Sequence, residues 1–104
     1  MLLEKLIGAE ITGINNIYDY WQILTDKGTV NIYGNVNSEI FDSVINCKII
    51  KIKYSNEIYL YFYLSNNKTI IISLDSPDNI PEYLSIYLNT GEIIVEQYEI
   101  TDVI

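Results

Sequence analysis

The sequence predicts a mainly β fold, and three observations carry that prediction. Its 104 residues include 21 isoleucines and ten tyrosines but a single alanine, and β-branched and aromatic residues favour strands. Apolar residues alternate with a period of two along several segments. Turn residues recur about every eight to twelve positions. We therefore expect one β-rich domain over residues 1–104, a small antiparallel sheet, meander or partly open barrel of seven to eight strands with one or two short helices.

The first third of the chain predicts one helical turn and three strands. Residues 1–6 fit a helical turn that ends at Gly8. The strands lie between turn residues and cover residues 10–18, 20–25 and 29–33. Gly13 marks a bulge or bend in the first strand. The segment Asp26-Lys27-Gly28 suits the turn of a β-hairpin between the other two.

Residues 35–46 form the main break in the strand pattern, and we expect a short helix there. Ser38 is placed to cap its amino terminus. Its apolar side chains recur at helical spacing and share one face, which is formed by Ile40, Phe41, Val44 and Ile45. The helix is therefore expected to be amphipathic.

The middle of the chain predicts two strands, over residues 48–54 and 58–64, with a turn between them. In the first strand, Lys51 and Lys53 lie on one side. Its apolar residues lie on the other side, namely Ile50, Ile52 and Tyr54. The second strand alternates most regularly, with one apolar side and one side formed by Tyr59, Tyr61 and Tyr63.

We call these three residues the tyrosine stripe, and it is the most specific surface feature of the sequence. If the two strands pair, Lys51 and Lys53 lie beside its rings. Two interpretations stay open. The rings are covered by the short helix or a second layer of sheet, or they form a protein-binding face, where tyrosine is enriched. Basic and aromatic residues also mark single-strand nucleic-acid platforms, but few lysines and no arginine in an acidic chain disfavour that role.

Residues 69–74 predict a further strand, in which Ile70, Ile71 and Ile72 make both faces apolar. This pattern is expected of a central strand that is covered on two sides. A loop with two prolines follows over residues 75–81.

The last part of the chain predicts a hairpin. Residues 83–88 and 92–100 flank a turn that contains Gly91, which is placed to adopt positive φ. Residues 81–88 also fit a short helix, and both alternatives stay open. The apolar parity changes along the last strand, which predicts a one-residue bulge near Glu96 and Gln97.

The residue types exclude much of the chemistry of enzymes. The chain has no histidine, the commonest general base and the usual ligand of catalytic zinc, and no arginine, which clamps phosphates. The turn from Asp75 to Asp78 lacks the glycine and the distal glutamate of a calcium loop. No phosphate-binding loop, dinucleotide fingerprint or nucleophile elbow occurs. We expect no enzymatic activity, no cofactor and no metal.

The charge distribution indicates the kind of partner. The net charge is −8, and no basic residue follows Lys68 although seven acidic residues do. Such a surface repels phosphate backbones and anionic lipids, so direct binding to nucleic acid or membrane is not expected, whereas a basic protein is attracted. With one cysteine, no long apolar segment and no basic start, the chain is expected to be cytosolic.

The chain resembles the small acidic β proteins that serve as immunity proteins beside bacterial polymorphic toxins, including those of contact-dependent growth inhibition. Three stretches that span most of the chain carry this resemblance. They are residues 6–14 (LIGAEITGI), the hairpin around Asp26-Lys27-Gly28, and the late run from Ile72-Ser73-Leu74 through Pro81-Glu82 to Ile93-Ile94-Val95.

The resemblance implies a stoichiometric inhibitor that binds a cognate basic toxin domain in the cytosol. Many such toxins are nucleases, whose basic clefts an acidic inhibitor can occupy, and complementary charge speeds association. The residues expected to steer the partner are acidic, namely Asp75, Asp78, Glu82, Glu92, Glu96 and Glu99. The expected anchors are aromatic, namely Tyr83, Tyr87 and Tyr98.

Two alternatives to the inhibitor stay open. The first is a non-catalytic structural or interaction module that acts as a homo-oligomer, with a homodimer as its simplest form. Long isoleucine-rich strands with few edge charges favour such pairing. The second is a barrel that holds a small apolar ligand, for which 104 residues leave limited volume.

Overall fold

In the computed structural model, which describes residues 2–55, 59–73 and 82–97, eight strands and two 3₁₀ helices make up the described fold. Their bounds in chain order are the first 3₁₀ helix Leu2–Leu6, β1 Ile11–Ile17, β2 Tyr20–Thr25, β3 Gly28–Ile32, the second 3₁₀ helix Ser38–Ser43, β4 Ile49–Ser55, β5 Tyr59–Leu64, β6 Thr69–Ser73, β7 Glu82–Leu88 and β8 Ile93–Gln97. The mainly β prediction is confirmed. Of the two alternatives for residues 81–88, the strand is correct over Glu82–Leu88, and residue 81 lies outside the described residues.

The described strands form two antiparallel sheets. One has five strands in the order β1-β2-β3-β7-β8, and the other has three in the order β4-β5-β6. One isolated bridge pairs Glu10 with Lys48, the residues just before β1 and β4, and another pairs Val36, in the segment after β3, with Ile72 of β6. The second 3₁₀ helix lies in the segment that carries the chain from one sheet to the other, where the strand pattern breaks.

A single core cluster takes side chains from both sheets and from both helices. The fully buried large residues of the cluster include Leu6, Ile11, Ile23, Ile32, Ile49, Phe62, Ile70, Leu84 and Ile86. Apolar residues on alternate strand positions are removed from water together here, and that burial is the main favourable term in folding. In β5 the alternation is complete, because Leu60, Phe62 and Leu64 are buried and the tyrosine stripe is half-buried.

The predicted faces of β4 are correct for Ile52, Tyr54 and the two lysines and wrong for Ile50. The Cα partners of Ile49 and Lys51 are Leu64 and Tyr63, which are adjacent, so Ile50 is an extra residue in a β-bulge. Ile50 is therefore 56% exposed, and Ile49 is buried in its place. Lys51 and Lys53 still lie beside the tyrosine stripe, as predicted.

The prediction that residues 69–74 form a central strand is also wrong, because β6 is the outer strand of its sheet. The edge of β6 that does not pair with β5 is covered by residues 35–37, which form no long strand. The Asn37 side chain accepts a hydrogen bond from Ile71 N at 2.7 Å and donates one to the carbonyl oxygen of Thr69 at 2.8 Å. Ser73 N donates to the carbonyl oxygen of Asn35 at 2.8 Å. Ile71 lies opposite Tyr61 of the tyrosine stripe and is half-buried there, whereas Ile70 and Ile72 are buried on the other face.

The two helical predictions hold in position and differ in detail. Gly8, at φ +89°, follows the first helix as predicted. The second helix is not capped by Ser38, which lies inside it, because Asn37 precedes it and uses its side chain on β6. The helix ends at Ser43, so Ile45 is exposed rather than on a shared buried face.

Two bulges were predicted, and the structure places one as expected. The register shifts between Ile11 and Gly13 in β1, which confirms the first. In the last hairpin the shift lies in β7, where Tyr83 is the extra residue opposite Glu96 and Gln97. The bulge therefore lies opposite the predicted residues but in β7, so the prediction of a bulge in β8 is wrong. A change in apolar parity does not tell which strand of a pair carries the extra residue.

Candidate functional site

Five of the nine residues expected to contact a partner lie on one hairpin. Glu82, Tyr83 and Tyr87 are in β7, Glu92 directly precedes β8, and Glu96 lies within it. For Glu82, Tyr83 and Glu96 the structure gives the strand position and the pairing. The other four lie outside the described residues, namely Asp75, Asp78, Tyr98 and Glu99. The β7–β8 hairpin thus unites the described part of the predicted site at one side of the five-stranded sheet.

The outer face of this hairpin exposes an apolar pair. Tyr87 and Ile93 are Cα partners across β7 and β8, and they are 48% and 57% exposed. The neighbouring positions Ile86 and Leu88 point into the core, so the pair faces away from it. A large aromatic ring beside an aliphatic side chain is the composition of an interface anchor.

Glu92 lies beside this pair and is not a free acid. Its Oε1 accepts a hydrogen bond from Lys5 Nζ at 2.5 Å and another from Thr90 Oγ1 at 2.8 Å. The Lys5 bond, followed by the Thr90 bond, lowers the pKa of the Glu92 carboxyl. The group is therefore ionised at neutral pH, but Lys5 offsets its charge and reduces its contribution to steering.

The lowered pKa of Glu92 has a definite pH signature. Because the folded pKa lies below its ordinary value of 4.5, the ionised carboxyl stabilises the folded protein above about pH 4.5. This stabilisation is lost as the pH falls through the folded pKa. We expect Lys5→Gln to raise the pKa of Glu92 in an NMR titration of its side chain. Lys27→Gln is the matched control, since Lys27 Nζ donates to the carbonyl oxygen of Ile7, and an equal rise there would contradict the assignment.

The tyrosine stripe forms a second candidate surface, on the outer face of the three-stranded sheet. The centroids of neighbouring rings are 6.2 Å apart for Tyr59 and Tyr61 and 6.1 Å apart for Tyr61 and Tyr63. Lys51 Nζ lies 5.7 Å from the centroid of the Tyr63 ring, within reach of a cation–π contact. All three rings are half-buried, so they are neither sealed in a core nor free in solvent. A protein-binding role for this face stays a prediction.

Sequence reasoning missed Tyr18, which lies in the two-residue turn between β1 and β2. Its backbone has φ +54° and its side chain is 98% exposed. Such turns place their first residue at positive φ, where glycine or asparagine is usual and an aromatic residue is strained. Only the short spacing between the two strands could have indicated this position.

We expect Tyr18→Gly to raise the free energy of unfolding by about 1 kcal/mol, because glycine relieves the positive φ and the exposed ring has little contact to lose. Urea denaturation followed by circular dichroism measures the change. Tyr20→Gly, at the first residue of β2, should instead lower the free energy of unfolding. A loss of stability in Tyr18→Gly would contradict the strain argument.

A polar ladder across the five-stranded sheet was also missed. The Asn15 amide donates to Gln22 Oε1 at 3.3 Å, and the Gln22 amide donates to Asn31 Oδ1 at 3.0 Å. The Asn31 amide then donates to Ser85 Oγ at 3.3 Å, and the Tyr33 hydroxyl lies 3.0 Å from the same oxygen. Asn31 and Ser85 are buried, so these bonds satisfy groups that water does not reach. The ladder joins side chains of four neighbouring strands, β1, β2, β3 and β7.

Within the described ranges, no group of three or more acidic or cysteine side chains converges as a metal site requires. Neither helix in the described part of the chain has the length and apolar character needed to cross a membrane. Comparison of the chain with protein-family models, with curated proteins and with solved structures found no match.

Proposed function

We propose that this protein is an immunity protein, which binds a cognate bacterial toxin domain in the cytosol and neutralises it by stoichiometric contact rather than by catalysis. The observation that carries the proposal is the exposed pair of Tyr87 and Ile93 on the acidic β7–β8 hairpin. The resemblance of the sequence to immunity proteins supplies the partner class.

The charge of the chain supports a basic partner. The net charge is −8, and the residues after Lys68 carry seven acids and no base. The active-site cleft of a nuclease is basic, because it binds phosphates. An acidic hairpin is attracted to such a cleft over about one Debye length, and the apolar pair then supplies contact energy once water is excluded.

The first experiment is affinity capture of the tagged protein from its native cell lysate at low and moderate salt. We expect recovery of a basic toxin domain in a 1:1 complex, and loss of that domain's activity when the purified proteins are mixed in equal amounts. Recovery of the bait alone, as a stable oligomer, would contradict the proposal. It would instead favour a homo-oligomeric module, for which the outermost described strands β1 and β8 offer edges.

The contact residues are tested on the recovered complex. We expect Tyr87→Ala and Ile93→Ala each to weaken binding about ten- to thirty-fold, as loss of an interface anchor does. Ile50→Ala is the matched control, because Ile50 is an equally exposed isoleucine on the other sheet. The triple variant of Glu92, Glu96 and Glu99 to glutamine should slow association and flatten its salt dependence. An unchanged association rate would contradict the steering role, and it would mean that these acids serve solubility or that the interface lies elsewhere.

A further inference from the structure

We propose that a cavity between the β1–β2 hairpin and the second 3₁₀ helix receives a basic side chain, arginine or lysine, of a partner protein. The cavity has a volume of about 340 Å³ and is lined by Ile14, Trp21, Ser38, Phe41, Asp42 and Ile45. It involves none of the residues of the β7–β8 hairpin, and it rests on the proposed function only in that its occupant belongs to a basic protein.

The wall of the cavity is aromatic and fixed. The Trp21 and Phe41 rings have centroids 5.0 Å apart and planes at 77°, an edge-to-face contact. Phe41 belongs to the core cluster, and Trp21 and Ile14 pack against it, so the wall is held by the rest of the fold. Ile45, which is exposed, extends the apolar lining towards solvent. This lining fits the methylene stem of a long side chain.

The polar side of the cavity carries one unneutralised carboxylate. Asp42 is exposed, and among the described residues it has no side-chain hydrogen bond or ion pair. The neighbouring cation, Lys68, donates to Ser43 Oγ at 2.6 Å and makes no ion pair with Asp42. A negative charge at the rim of an aromatic cavity attracts a cation. A purely apolar occupant is disfavoured, because it would remove water from the carboxylate without pairing its charge.

Arginine or lysine satisfies each part of this site. The charged end pairs with Asp42, the stem lies on Ile14 and Ile45, and the Trp21 ring offers a cation–π contact. Tyr18 does not line the cavity but lies close to it in the chain, two residues beyond Asn16, the Cα partner of Trp21. A fully exposed ring held at positive φ is the kind of strained residue that clusters at binding sites.

The single tryptophan of the chain makes the cavity directly observable, because Trp21 lines it. The probe is arginine blocked at both ends, N-acetyl-arginine amide, and the readout is the NMR signal of the Trp21 indole N–H. We expect saturable shifts with a dissociation constant on the order of millimolar. The equally blocked citrulline, which has the same shape without the charge, should bind at least about three-fold more weakly.

Two variants separate charge from shape. Asp42→Asn should remove the preference for arginine over citrulline, whereas Glu39→Gln, at an exposed acid of the same helix, should retain it. Equal binding of the two probes to the native protein would overturn the inference and indicate an apolar pocket. The absence of any shift at tens of millimolar arginine probe would overturn it as well.

The test is independent of the toxin partner. If the probe binds as expected and lysate capture recovers only the bait, the cavity stands and the proposed function fails. If capture succeeds while the probe does not bind, and Asp42→Asn leaves the affinity for the toxin domain unchanged, the function stands and the cavity assignment fails.

Discussion

Replacement of Phe62 by alanine is expected to lower the free energy of unfolding by about 3–5 kcal/mol, the usual cost of deleting a buried aromatic side chain. Phe62 is fully buried in β5, the central strand of its sheet, where its Cα partners are Ile52 and Ile70. Close neighbours on both sides prevent the cavity from collapsing. A loss of this size is a large share of the about 5–15 kcal/mol that stabilises a domain.

Urea denaturation followed by circular dichroism measures this change, with Ile50→Ala as the control. Ile50 lies in the β4 bulge and is 56% exposed, so its truncation should cost less than about 0.5 kcal/mol. Equal losses in the two variants would contradict both the burial of Phe62 and the position of the bulge.

The second large effect is expected from Gly28→Ala, at the start of β3. A methyl group there would lie 2.6 Å from the carbonyl oxygen of Tyr87 and 3.0 Å from the Cα of Leu88. Both atoms belong to the backbone of β7, which pairs with β3 at this level. They can retreat only if the two strands separate, so we expect a loss of about 3 kcal/mol.

Gly13→Ala is the control for this prediction, because it adds the same methyl group to another strand of the same sheet. Its nearest neighbour is Leu24 Cδ1 at 3.3 Å, the end of a flexible side chain that can move aside. We expect a change of less than about 1 kcal/mol in its free energy of unfolding. If Gly13→Ala cost as much as Gly28→Ala, the effect would belong to glycine in strands generally and not to the close approach of β3 and β7.

Most of the strands could be predicted from the sequence because their signals are local. The alternation in residues 58–64 fixes which side of β5 is buried, and the glycine turns at Gly28 and Gly91 fix two hairpins. The break at residues 35–46 marks the place where the chain passes between sheets. Each of these features depends on residues that are close in the chain.

Features that depend on distant residues could not be predicted. The outer position of β6 is hidden because the Asn37 side chain, more than 30 positions earlier, binds its free edge. The bulge at Ile50 changes which isoleucine of β4 is buried, and an apolar run permits either choice. The polar ladder joins Asn31 to Ser85 across 54 positions.

Some features of the candidate site likewise have local signals in the sequence, and others depend on distant residues. Charge and aromatic residues indicated the β7–β8 hairpin, and strand pairing brings Tyr87 opposite Ile93. The neutralisation of Glu92 by Lys5 spans 87 positions and had no local signal. The cavity at Trp21 also combines side chains of the β1–β2 hairpin with side chains of the helical break, so no single stretch of sequence indicated it.

The pairing of β3 with β7 has a consequence for how the chain is made. The meanders β1-β2-β3 and β4-β5-β6 can each form as they leave the ribosome, since their pairings are between consecutive strands. β7 pairs with β3 only after about fifty further residues have been synthesised, and closing such a long loop is slow. Until then the edge of β3 and its buried face stay open to other chains. The nascent chain is therefore prone to aggregation until the β7–β8 hairpin pairs with β3.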